Sequence, residues 1–157
     1  MIRSLMPFFQ RLAGTDWFMR VGPRLMPKLD RTLHRLTRGK LVSSGLLPTL
    51  VLTSTGARSG LPRTTPLACL AEADGALLVV GSNFGLDHHP AWTANLIKTP
   101  EAAVSFRGRD FGVTAALLSG DERAAVWPAL IEHWPVYDRY TEKSGRQLRV
   151  FRLIPAR

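Results

Sequence analysis

A single cysteine, two tyrosines and twelve acidic residues are what this 157-residue chain has least of. Cys69 has no partner for an internal disulfide and stands in no thiol-catalysis or metal-ligand spacing, which sets aside a disulfide-stapled fold. It lies in an apolar run, where a free cysteine behaves as a small buried hydrophobe. No stretch of roughly 18 apolar residues is there to span a bilayer. The opening Met1–Arg11 segment is too short and interrupted for a signal-peptide core. These absences predict a cytoplasmic protein in a reducing compartment. At 45% hydrophobic residues the chain can build one domain with a real core, and two would be a strain.

The shortage of acid is uneven. Residues 1–40 carry nine Lys/Arg against Asp16 and Asp30, which leaves only two units of the net charge of +9 for residues 41–157. A basic extension, 1–40, is thus joined to a nearly neutral body, 41–157. At about 100° per residue, Leu25, Leu29, Leu33 and Leu36 fall on one stripe of a helix, and Arg24, Lys28, Arg31, Arg35 and Arg38 on another face. A basic amphipathic helix over 24–38 either packs its leucines on the body or docks on an anionic membrane surface, which would place the protein peripherally on the inner face of the cell membrane. Nucleic acid is a poorer fit, since no binding motif or basic-aromatic interleaving accompanies the charge.

After Gly39 the pattern turns strand-like. Pro48–Ser54, Thr64–Leu70, Ala76–Gly81, Ala102–Phe106, Asp110–Leu118 and Leu148–Ile154 read as strands, with hairpins at Ala73-Asp74-Gly75 and Arg107-Gly108-Arg109. A helix is expected from Pro90 to Lys98. Another opens at Ser119-Gly120-Asp121-Glu122, which has the spacing of a capping box, with Pro128 as a kink and Trp127, Leu130, Ile131 and Trp134 on one face. About six short, mostly antiparallel strands with helices inserted predict a mainly β, α+β fold: a small closed barrel with peripheral helices.

Three constellations could carry chemistry. The loop Ser54-Thr55-Gly56-Ala57-Arg58-Ser59-Gly60-Leu61-Pro62-Arg63 joins two strands. Its glycines admit an anion close to the backbone, its hydroxyls donate, and Arg58 and Arg63 offer the guanidinium fork that matches phosphate. It lacks the Gly-Lys-Ser/Thr ending of a P-loop and the dinucleotide glycine triplet. By spacing alone, such a turn is a solvated hairpin as readily as a binding site.

Gly81-Ser82-Asn83-Phe84-Gly85-Leu86-Asp87-His88-His89-Pro90-Ala91-Trp92 runs from a strand end into a helix start, where negative charge is favoured. Adjacent His88 and His89 lack metal-ligand spacing, so no metal is assigned. Trp92, Asn95 and Leu96 at helical spacing suit a core, with Asn95 as a buried bridge. Finally, Tyr137 and Tyr140, three apart, share a helix face; their phenols either meet a substrate oxygen or cap the edge of a core. No nucleophile elbow, carboxylate pair or zinc pattern is present. The chain offers a place to hold something, which favours cofactor chemistry.

Three ordered blocks carry a family resemblance. Leu52-Thr53-Ser54-Thr55-Gly56 through Arg63-Thr64-Thr65-Pro66-Leu67, then Ser82-Asn83-Phe84-Gly85, then His89-Pro90-Ala91-Trp92 with Asn95-Leu96 and Thr99-Pro100, resemble the deazaflavin-dependent nitroreductase family over residues 41 to 155. The resemblance implies a split β-barrel like the FMN-binding fold. It implies the deazaflavin F420 as cofactor, FMN being the alternative, and hydride transfer from reduced F420 to a quinone, nitroaromatic or other activated apolar acceptor. Arg58, Ser59, Gly60 and Arg63 would hold the phosphate, beside Ser54, Thr55 and Gly56. Thr65 and Pro66 would line the cofactor, Ser82 and Asn83 would bond near the ring, and Trp92 would wall the site. Tyr137 and Tyr140 would close the substrate pocket. Ala57 stands where many members have a second basic residue, and Ala68 where a nitro-reducing relative has tyrosine, which weakens the case for nitroimidazole activation. A non-catalytic F420 carrier or membrane-peripheral module is the contrasting expectation.

Overall fold

The computed structural model describes Thr15, Arg20, Val21 and residues 48–157. The expected basic extension, with its helix over 24–38, lies outside the described residues apart from those three positions.

Alternating burial builds the sheet. In β1 (Thr49–Thr55) Leu50, Leu52 and Ser54 are buried while their neighbours are half-exposed, the period of two expected of a strand with one covered face. β1 pairs on one side with β2 (Pro62–Ala68) and on the other with β5 (Glu101–Phe106). From β5 the sheet continues through β6 (Arg109–Leu118), β7 (Arg149–Pro155), β4 (Leu77–Gly81) and β3 (Leu70–Ala71). The order is β2-β1-β5-β6-β7-β4-β3, and every pairing is antiparallel. The expected strand 64–70 is divided at Cys69, whose N–H is taken by Pro48 O at 2.9 Å. One bent segment therefore supplies both edges of the sheet, β2 and β3, which do not pair with each other; among the described residues the sheet curls into a half-barrel, split along that seam, rather than the fully closed barrel that the strand pattern alone suggested. Burial pushes the Cys69 thiol up to about 12, so it stays protonated as part of the packing.

Two cores result. Inside the barrel Leu50, Leu52, Leu77, Val79, Val104, Val113, Phe151 and Leu153 pack with Trp92 and Leu96 of α1 (Ala91–Lys98), which plugs the interior. On the outer face of β4 and β7, Leu78, Val80 and Val150 are covered by α2 (Gly120–His133) and α3 (Val136–Ser144), with Trp127, Leu130, Ile131 and Trp134 on the packed face as expected. That double cover explains why all five residues of β4 are buried. Ser119 precedes α2 in an extended conformation and makes no side-chain capping bond, so the expected capping box is not formed; Gly120, at φ 52°, sets the helix entry instead. The helix runs through Pro128 without interruption. The 106–109 hairpin turns on two residues, Arg107 and Gly108 at φ 50° and 77°, the doubly left-handed geometry that matches strand twist.

Candidate functional site

Because the strands alternate in direction from β1 through β5, β6 and β7 to β4, the carboxyl ends of β1 and β4 lie at the same end of the barrel. The segments that leave those ends are the turn after Thr55 and the turn after Gly81. α1 touches both.

The first turn closes on itself. Gly56 N–H donates to Leu61 O and Gly60 N–H to Gly56 O, each at 2.8 Å. A Cβ at Gly56 would come within 2.5 Å of Ser59 Oγ and 3.1 Å of Leu61 O, so a side chain there would push Ser59 out of its place in the turn. Ser59 Oγ in turn accepts from Leu61 N–H at 3.2 Å and from Arg63 Nη2 at 3.4 Å. α1 clamps the turn from beneath. Asn95 Oδ1 accepts the Ala57 N–H at 2.8 Å, Asn95 Nδ2 donates to Ser54 Oγ at 3.1 Å, and Lys98 Nζ donates to Ala57 O at 2.6 Å. Arg58, Ser59, Gly60, Arg63 and Lys98 are exposed, whereas Ser54 and Gly56 are buried and Thr55 is half-buried. Among the described residues, the ion pairs are Asp87 with His88 and Glu72 with Arg152; none involves Arg58, Arg63 or Lys98. Three uncompensated cations around one turn make a local field that attracts an anion.

The second turn is strained. Asn83, Phe84 and Gly85 have φ of 45°, 54° and 72°, and left-handed backbone at non-glycine residues persists only where the surroundings over-determine it. The determinant is Arg146, just beyond α3. Its Nη1 donates to Gly81 O at 3.1 Å, Nη2 to Ser82 O at 2.7 Å, and Nε to Leu86 O at 3.0 Å. Nη1 also meets His89 Nδ1 at 3.0 Å, and since a guanidinium only donates, His89 accepts as neutral imidazole. Desolvation first, then the charges of Arg149 and Arg146, hold His89 below the ordinary histidine range. Asn83 Nδ2 closes the turn on His88 O at 3.0 Å. Gly85 lies flush on α3: a Cβ there would come within 3.0 Å of Tyr140 Cδ1 and 3.2 Å of its Cα.

The expected residues are therefore only partly brought together. Ser54, Thr55, Gly56, Arg58, Ser59, Gly60 and Arg63 form one continuous turn, and Ser82 and Asn83 the other. Thr65 is paired with Leu52 on the interior face of β2, while Pro66 is paired with Val51 on the opposite face, so their side chains do not share a surface. Trp92 is buried in the barrel core against Phe151, with ring centroids 5.6 Å apart. Tyr137 and Tyr140 do share a helix face, but that face is packed into the outer core at 7% and 2% exposure. Burial raises both phenols far above their ordinary titration range, with Tyr140 and Cys69 adding to the effect at Tyr137. Neither is a proton source near neutrality. Sequence reasoning missed Lys98 and Arg146 altogether. Lys98 sits three residues after Asn95 on one helix face, a signal available in the spacing; Arg146 meets partners 57 to 65 residues away and leaves no local trace.

Comparison with known proteins places these turns in context. A family model described as F420H(2)-dependent quinone reductase matches residues 28–155. An F420H(2)-dependent quinone reductase of Mycobacterium tuberculosis is 33% identical over 138 residues, 85% of this chain and 90% of the relative. A solved structure of an F420-H2 dependent reductase, FDR-A, superposes with a TM-score of 0.62 at 34% identity, covering 68% of this chain and 93% of the other. A second, described as a domain-swapped dimer, gives 0.63 at 31% identity over 88% and 97%.

Proposed function

The chain belongs to the F420H(2)-dependent quinone reductase family, and from that premise we propose that it binds F420 across its two turns and reduces a quinone-type acceptor. The observation that carries this reading is the set of cations, Arg58, Arg63 and Lys98, that have no carboxylate partner among the described residues, on a turn whose backbone is held by Asn95. F420 has an anionic phosphate and glutamate tail, and the exposed donors of this turn match it in charge and chemistry. When bound, reduced F420 supplies a hydride from its C5 to the acceptor.

The protein's part is binding, orientation and exclusion of water. Arg58, Ser59, Gly60 and Arg63, beside Ser54, Thr55 and Gly56, hold the anionic end. Thr65 faces the barrel side of that end, and Pro66 stiffens β2 at its outer face. Ser82 and Asn83 offer polar groups to the ring end, on a turn fixed by Arg146, and Trp92 forms the floor beneath. Tyr137 and Tyr140 support the 83–85 turn from α3 and give it its apolar backing. Residues 41–157 would carry this site, with 1–40 as a basic extension whose 24–38 stretch, amphipathic in sequence, would either pack on the body or meet an anionic membrane surface where a lipid-soluble quinone is reached. Among the described residues no helix is long and apolar enough to cross a membrane.

The test is turnover. Protein, reduced F420 and menadione are mixed anaerobically, and reoxidation is followed at the absorbance of oxidised F420. Acceleration over the protein-free rate is expected. Tight F420 binding without acceleration by any quinone or nitro compound would instead mark a carrier, and a protein purified yellow with bound isoalloxazine would mark FMN as the cofactor.

A further inference from the structure

We propose that Lys98, from α1, is a third cationic ligand for the cofactor's anionic tail, completing the cradle that Arg58 and Arg63 begin; this rests on the F420 reading above. A lysine in the last turn of a helix ordinarily serves its own helix, by bonding the free carbonyls there and meeting the negative end of the dipole. Lys98 does something else. Its ammonium reaches across to Ala57 O at 2.6 Å, in a different element and 41 residues away in sequence.

Only one of the three ammonium donors is used by that bond, and the side chain is exposed, with no carboxylate partner among the described residues. The bond holds the charge at the base of the turn that also bears Arg58 and, through Ser59 Oγ, Arg63. Asn95 takes the N–H of Ala57 while Lys98 takes the C=O of the same residue, so the cation's position is fixed relative to the anion-facing backbone. Ala57 itself contributes no charge. A cation arriving from α1 supplies next to it what the turn's own sequence does not.

Two functions of Lys98 are separable: the tether to Ala57 O and the charge offered to the ligand. Lys98→Gln keeps a donor for the tether and removes the charge; Lys98→Arg keeps the charge. Fluorescence titrations at low salt would compare three ligands: F420 with its glutamates, F420 lacking them but keeping the phosphate, and the ring-only deazaflavin lacking both. Lys98→Gln is expected to weaken F420 binding about tenfold, the loss of one charge-assisted contact. The deficit should shrink as salt rises. Lys98→Arg should stay within about twofold of wild type by the same reasoning, and the ring-only compound should bind wild type and Lys98→Gln alike.

An equal deficit for both phosphate-bearing ligands assigns Lys98 to the phosphate; a deficit confined to the glutamated form assigns it to the tail carboxylates. Either supports the proposal. Unchanged F420 affinity in Lys98→Gln, or a parallel loss for the ring-only compound, overturns it while leaving the function intact. A wild-type protein that does not bind F420 overturns both.

Discussion

Arg63 and Arg146 serve the same end of the barrel and use the same guanidinium chemistry in opposite ways. Four of the five N–H groups of Arg146 are spent inside the protein, on Gly81 O, Ser82 O, Leu86 O and His89 Nδ1. Arg63 is exposed and makes one long bond, 3.4 Å to Ser59 Oγ. The first arginine shapes a strained turn, and the second waits for an outside partner. A basic residue near a site is thus a ligand candidate only after its internal bonds are counted, which is why the turn at 56–61 is assigned to the anionic end and the turn at 82–89 to the ring end.

The comparison can be broken at several points. The largest effect belongs to Arg146→Met, which leaves three carbonyls without their charged donor; about 3 kcal/mol of stability should go with it, read as a lower denaturation midpoint. Ring-only deazaflavin should then bind poorly, because the left-handed turn loses its determinant. Gly85→Ala comes next, at about 2 kcal/mol, since φ 72° and the contact with Tyr140 both oppose a Cβ. It should depress ring binding and leave the salt-dependent part of F420 affinity alone. Asn95→Ala removes the buried support of the other turn, leaving the Ala57 N–H and Ser54 Oγ without it, at about 1–2 kcal/mol. Its signature is the reverse: tail-dependent affinity falls and ring binding is kept.

The smallest effect is acidic. His89 is favoured as neutral imidazole in the folded protein, so its contribution is whole above the unfolded histidine value of about 6.5. It is lost as pH falls through the depressed folded value, because the unfolded chain then binds the proton more readily. His133, lowered by burial, acts in the same direction. Thermal melts should therefore decline from about pH 7.5 to about pH 5.5, and His89→Asn should decline less steeply. An identical slope in the variant would remove His89 from the explanation.

How much of this was legible follows from the range of each interaction. The strands showed themselves through period-two burial, as in β1, where Leu50, Leu52 and Ser54 alternate with half-exposed neighbours. That one bent segment supplies both edges of the curled sheet depended on the break at Cys69, which no local pattern marks. The turn at 54–63 announced its chemistry in its composition, and the shared face of Tyr137 and Tyr140 followed from their spacing. That face is covered rather than open because α3 packs on the 83–85 turn and on β4, a tertiary fact. Ser119 had the composition of a cap, and the left-handed Gly120 overrode it. Arg146 was silent for the same reason as Cys69: its partners lie far away in sequence.

The division of labour is tested most directly by one pair of affinities, F420 and its ring-only fragment, measured in wild type and in Arg63→Ala at low salt. The account predicts that Arg63→Ala loses about tenfold or more for F420, a charge-assisted contact's worth, while the ring-only affinity and the melting temperature stay where they were. An unchanged F420 affinity in a folded Arg63→Ala protein, or an equal loss for both ligands, would contradict it.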